Sequence, residues 1–259
     1  MVARRDRTGE ERLNSFGSKM IIEEYRSAMD IDVYFPEYNW ILKHIRYDVF
    51  KKGEIKCPYE PRVFGVGYLG EGKYTPTENG KINEYYDIWH HMIRRCYDTK
   101  SQEKNPTYKG CTVEDYLLNF QNMGEWLEEN YYKVPGETMN LDKDILHKGN
   151  KIYSRETCIF VPHRINSLFV KNDAKRGNYP LGVSYSKQTN IYKAKCSILN
   201  KEGKRIIKHI GCYNSPEEAF LAYKEFKEQY IKQVADEYKD KIPKELYDAM
   251  YRWEVEIDD

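Results

Sequence analysis

The side chains best suited to chemistry crowd into Leu141 to Pro162, LDKDILHKGNKIYSRETCIFVP. Asp142 and Asp144 flank Lys143, and His147 follows three residues after Asp144. A Gly149-Asn150 loop then leads through Ser154-Arg155-Glu156-Thr157 into the apolar run Cys158-Ile159-Phe160-Val161. Either His147 or Lys143 could take a proton from water. The lysine could do so only if burial depressed its pKa substantially. A second cluster lies further on, where Lys193 and Lys195 alternate with Tyr192, Ala194, Cys196 and Ile198. A strand with that alternation packs one face and offers the other as a row of cations, chemistry suited to phosphate.

The elements around these clusters follow from hydrophobic period and turn residues. Residues 1–17, basic at Arg4, Arg5 and Arg7, are expected to form a flexible arm. Over 18–64, short runs rich in Ile, Val, Tyr and Phe predict four or five strands, with Lys52-Gly53 as a turn, closing into a small SH3-like β-barrel. Gly65, Gly67, Gly70, Gly72 and Gly80 mark 65–81 as a linker or an ordered crossing loop. No strand-then-helix frame with a following Lys-Ser/Thr accompanies these glycines, so they do not form a nucleotide loop.

Residues 85, 88, 89, 92, 93 and 96 form an amphipathic helical stripe, with His90, His91, Arg94 and Arg95 mostly off it. A second helix is expected over 114–131, facing inward with Tyr116, Leu117, Phe120, Met123, Trp126 and Leu127. Three strand-like pieces occupy Leu181 to Tyr213, with turns at Gln188-Thr189-Asn190 and at Asn200 to Gly203. A helix follows: Ser215 caps it, Pro216 enters its first turn and Glu218 completes a capping box. One more short helix closes the chain over 241–259.

Composition narrows the class. Of 259 residues, 32% are charged and 14% aromatic, and no apolar run approaches the ~20 residues of a membrane span. The start, MVARRDRTGEE, lacks the apolar core of a signal peptide. Cysteines 57, 96, 111, 158, 196 and 212 form no CxxC pair, which argues against a zinc ribbon or disulfide scaffold and for a reduced, cytoplasmic setting. The net charge of +1 conceals an uneven distribution. From Lys171 to Tyr213 there are ten Lys/Arg against two acids; from Asn214 onward there are seven against thirteen.

Two families are resembled. LDKDI, GNKIYS and CIFVP, preceded by IWHHMIRRCY and YKGCTV, resemble the phage variant of the HNH endonucleases, with its ββα-metal finger and flanking helices. The resemblance implies one domain over 82–169 and a divalent ion, Mg or Mn, bound at Asp142 and Asp144. Lys143 stands where the family's catalytic His is expected, so His147 or Lys143 would activate water. Asn150 would fix the loop, Arg155 and Arg164 would neutralise phosphate, and Thr157 falls at the helix Asn position. GV…YKAKCSI…IGCYNSPEEAFLAY, over 171–240, resembles the AP2 DNA-binding domain, whose three-stranded sheet enters the major groove. By position, Tyr185, Lys187, Lys193, Lys195, Arg205 and Lys208 would contact DNA; apart from this resemblance, Arg94 and Arg95 on the 85–97 helix are candidates to meet phosphate.

The whole is expected to be an α+β protein that cleaves or nicks double-stranded DNA, encoded by a phage and acting in a bacterial host without a membrane partner. The alternative is a catalytically degenerate DNA-binding regulator or architectural protein on the same scaffold.

Overall fold

The computed structural model describes residues 6–169, 179–199 and 204–257. Arg4 and Arg5 of the expected arm, the polar stretch from Lys171 to Gly177 and the turn at 200–203 lie outside the described residues. The fold is mixed α+β with several small sheets. It divides into two compact units, residues 1–130 with 151–156, and residues 131–150 with 157–259. The boundary crosses the expected 82–169 segment three times. Among the described residues no helix is long and apolar enough to cross a membrane.

In the first unit, β1 (Glu11–Leu13), β2 (Lys19–Ser27), β3 (Asp30–Phe35) and β4 (Trp40–Ile45) form an antiparallel sheet in sequence order. Met20, Ile22, Ile31, Val33 and Phe35 are buried beneath it with Phe50 and Cys57. Two expectations change here. The sheet is an open meander, not a closed barrel, because among the described residues β1 and β4 pair only with their sequence neighbours. The expected turn at Lys52-Gly53 ends a helix, α1 (Tyr47–Lys52). Gly53 takes φ 71°, and its N–H reaches the carbonyls of Val49 and Phe50, as a left-handed C-cap does. The arm, too, is partly strand, since β1 begins at Glu11.

The glycine-rich crossing is ordered. It contains a short hairpin, β5 (Thr77–Glu78) with β6 (Lys81–Ile82), and the Gln121 side chain bonds to Leu69, Tyr74 and the Tyr74 carbonyl. Next come α2 (Glu84–Tyr97), capped by the Asn83 side chain, and α3 (Thr99–Lys104). The single helix expected over 114–131 is two, α4 (Asp115–Leu118) and α5 (Phe120–Asn130). Asn119 between them is extended, and its side chain accepts the Gln121 N–H to start α5. Trp89 of α2 is fully buried against Phe120 and donates its indole N–H to the Leu117 carbonyl at 2.9 Å. β7 (Thr112–Val113) pairs in parallel with β9 (Ile152–Tyr153).

In the second unit, β8 (Met139–Asp142) pairs antiparallel with β10 (Ile159–Pro162), and α6 (His163–Phe169) follows β10 directly. The sheet β11 (Val183–Ser186), β12 (Ile191–Leu199), β13 (Arg205–Tyr213) has one face covered by α7 (Pro216–Tyr238). Ala194, Cys196, Ala219, Phe220 and Tyr223 form the buried layer between them. Gly182, at φ 76°, lets β11 approach the Tyr223 ring where any Cβ would collide. The far half of α7 joins α8 (Lys244–Tyr251), β10 and α6 in a second core around Ile231, Val234, Val161 and Ile165.

Candidate functional site

The ββα element β8–β10–α6 places Asp142 at the end of its first strand. Asp142 Oδ1 accepts the backbone N–H groups of Asp144 at 2.9 Å and Ile145 at 2.8 Å, so the chain's own turn fixes the carboxylate. Burial pushes the Asp142 carboxyl up to about 6, and the neighbouring Asp144 adds to the rise, against the lowering effect of those N–H donors. Two carboxylates facing each other at a strand end suit a divalent cation, which would remove the repulsion; the remaining ligands would be water or phosphate oxygens.

Lys143 is buried, 6% exposed, and its ammonium donates to Asp144 Oδ2 at 3.1 Å and to the Asn150 carbonyl at 3.0 Å. Asn150 returns the contact, donating from Nδ2 to the Lys143 carbonyl at 2.7 Å. This reciprocal clamp closes the 143–150 loop. It makes Lys143 a strut within the loop, in place of the proton acceptor the sequence allowed. His147 is exposed in the same loop, its carbonyl accepting the Asn150 N–H at 3.0 Å.

Other expected participants are engaged elsewhere. Arg155 is held within the first unit by Glu114, with contacts of 2.6 and 3.1 Å, and lies over the Tyr116 ring. Arg164 pairs with Glu237 at 2.5 Å, while its Nε is buried without a partner. Arg94 reaches Asp98 at 3.4 Å, and Arg95 lies over Tyr108. Thr157 sits in the turn before β10, not in a helix. The helix that follows β10 carries His163 and Asn166 instead, residues legible only in the HRIN that follows FVP.

The second site is the uncovered face of the β11–β13 sheet. Paired residues of an antiparallel sheet share a face. Lys193 pairs with Ser184 and Cys212, Lys195 with His209, and Ser197 with Ile207. These side chains lie opposite the face that Ala194 and Cys196 bury under α7. A bulge between Ala194 and Lys195 shifts the register of β13. As a result Lys208 pairs with buried Cys196 on the helix side, while His209 and the 73%-exposed Ile207 join the cations. Tyr185 also leaves the expected set: it pairs with Tyr192, their rings 5.0 Å apart beside Tyr179. Lys187 is exposed in the turn, and Arg205 edges a cavity beside α6. No carboxylate occurs in the three strands, and Lys193, Lys195, Arg205 and Lys208 form no ion pair among the described residues.

In the first unit, Asp30, Asp32 and His44 form a group that could hold a metal ion. Arg26 already fills the cation's role there, with Nε 2.8 Å from Asp30 and a close contact to Asp32. Its guanidinium, with His44, holds the Asp30 carboxyl down to about 2.

No protein-family model, no curated protein and no solved structure matches this chain.

Proposed function

We propose that this protein binds duplex DNA through the uncovered face of β11–β13 and cleaves or nicks it at a divalent-metal site on the β8–β10–α6 element, in the manner of phage HNH endonucleases. The observation that carries the reading is the carboxylate-free sheet with unpaired cations opposite its buried face. Lys193, Lys195 and His209 would meet phosphates and guanine edges, and Ile207 would offer apolar contact to a thymine methyl. This is the docking expected of an AP2-like sheet.

Asp142 and Asp144 would hold Mg²⁺ or Mn²⁺, and the ion, when bound, offsets charge building on the scissile phosphate. The protein's own part is to fix geometry. The N–H groups of Asp144 and Ile145 orient the Asp142 carboxylate, and the Lys143–Asn150 clamp sets the loop. His147, exposed on that loop, is the group able to accept a proton from water.

A specific observation favours a second reading, a DNA-binding regulator without cleavage. The residue at the family's catalytic His position, Lys143, is buried and spent on loop closure. A supercoiled plasmid incubated with Mg²⁺ or Mn²⁺ separates the two. Nicking that is lost in Asp142→Ala and reduced in His147→Ala supports the nuclease; retarded DNA without nicking supports the regulator. If no DNA is retarded at low salt, both readings fail.

A further inference from the structure

Between α6 and the layer formed by β12, β13 and α7 lies a cavity of about 360 Å³, within the size range of small-ligand sites. Its lining is chemically lopsided. Arg164, Arg205, Lys227 and His163 contribute positive or basic groups, Phe169 and Trp253 contribute aromatic surface, and no carboxylate is among the described lining residues.

The donors there are short of acceptors. The Arg164 guanidinium is paired with Glu237 at 2.5 Å but keeps a buried, unmet Nε, and Lys227 and Arg205 form no ion pair among the described residues. Burial drives the Lys227 ammonium toward its neutral form, and the charge of Arg205 pushes the same way. Leaving a desolvated cation beside another cation is costly unless an anion joins them. Phe169 and Trp253 pack ring to ring at 4.5 Å, giving one wall an apolar surface that a bare ion would not use.

We propose that this cavity binds a nucleotide, with its phosphate on the Lys227–Arg205–Arg164 side and its base toward Phe169 and Trp253. The inference stands on the cavity alone and does not need the DNA-docking face. The nucleotide could be free or belong to a strand, and the chemistry recognised is the same.

The test is calorimetric titration of the full chain with a deoxynucleoside monophosphate, dAMP, and separately with inorganic phosphate. The expected result is saturable dAMP binding and phosphate binding at least ~10-fold weaker, since the base would add stacking. Lys227→Met keeps the apolar stem and removes the charge. It is expected to weaken dAMP binding at least ~10-fold while raising the melting temperature, because a half-buried cation without an ion pair has been deleted. Arg205→Gln, at the cavity's edge, supplies an independent variant with the same binding loss. Competition by a DNA duplex assigns the site to a nucleotide within a strand, and binding without competition assigns it to the free compound. No heat with dAMP in folded protein, or unchanged affinity in both variants, overturns the proposal. Lys193→Glu/Lys195→Glu should bind dAMP normally, so a failure of the sheet to bind DNA would be seen separately.

Discussion

The chain contains two antiparallel sheets of similar size that treat their charges in opposite ways. In β1–β4 the carboxylates are built into the strands beside the cations. Lys19 reaches Glu11 at 2.8 Å, and Arg26 is shared by Glu24, Asp30 and Asp32. In β11–β13 there are cations and no carboxylates. Exposed ion pairs contribute only ~0–1 kcal/mol, so stability does not explain the difference. What differs is what remains for a partner. The first sheet is neutralised locally and has little long-range attraction to offer, whereas the second holds positive charge that only an external anion can meet.

The sharpest way to break this contrast is to reverse charge on each sheet in turn. Lys193→Glu/Lys195→Glu should lower duplex affinity on the order of 100-fold at low salt, through lost contacts and new repulsion. The slope of log affinity against log salt should flatten by about 1.8, from two phosphates at ~0.9 each. Lys19→Glu on the first sheet should change neither quantity. Fluorescence anisotropy over a salt series reads both. Equal losses from the two sheets would remove the distinction.

Asp142 and Asp144 extend the contrast to the opposite sign, as two carboxylates with one cation, Lys143, bonded to Asp144. Burial and the nearby Asp144 hold the Asp142 carboxyl up to about 6 in the fold, against ~3.9 in the unfolded chain. The fold therefore holds the extra proton, and stability falls as pH rises from the unfolded value through 6. Asp142→Asn keeps an oxygen for both backbone N–H groups and removes the repulsion. It should stabilise the protein at pH 7 by up to ~2 kcal/mol in chelator-treated buffer, with the gain vanishing below ~pH 4. Urea melts at the two pH values check this. A loss of stability at pH 7 would show that Lys143 already balances the pair.

How much of this could be read in advance depended on how local the signal was. The β12 alternation and the Ser215 cap concern neighbours in sequence, and both hold: the Ser215 hydroxyl accepts the Glu218 N–H at 3.1 Å, while the Glu218 carboxylate accepts the N–H of Asn214 at 3.3 Å in place of the Ser215 N–H that a capping box uses. Barrel closure depends on whether distant edges meet, which no strand pattern encodes. Lys52-Gly53 suits a hairpin turn or a helix C-cap equally well. The bulge at 194/195 reverses the facing of Lys208 and His209, a one-residue shift invisible in composition. Asp142 and Asp144 were legible as a pair, but the burial of Lys143 and its clamp with Asn150 were not. Lys227 reads as a solvated helix position until the cavity beside it is seen.

Within the neutralised sheet, Arg26→Met tests the other half of the comparison. The wild-type Asp30 carboxyl, held near 2, adds stability that is full above the unfolded value of ~3.9 and is lost as pH falls through 2. Without the guanidinium, Asp30 and Asp32 face each other unrelieved. The melting temperature should drop by a few degrees at pH 7, and acid unfolding should begin at higher pH. DNA affinity should stay at the wild-type value. Thermal melts from pH 7 to pH 2 follow the first two effects, and an unchanged acid midpoint would mean that His44 alone suffices for Asp30.

The smallest effect separates charge display from mere sheet integrity. The basic face exists because α7 covers the other one, and α7 starts at Ser215, whose hydroxyl satisfies an otherwise orphaned N–H. Ser215→Ala should cost about 1 kcal/mol of stability, the usual loss for a serine cap. It alters no residue of the outer face. Its affinity for duplex DNA and its salt slope should therefore match wild type at temperatures well below unfolding. A variant less stable by that amount yet unchanged in slope would tie binding to the cations themselves. A slope that fell with the cap would mean that the face is presented only while the α7 N-terminus is intact, and that the helix shares in the contact.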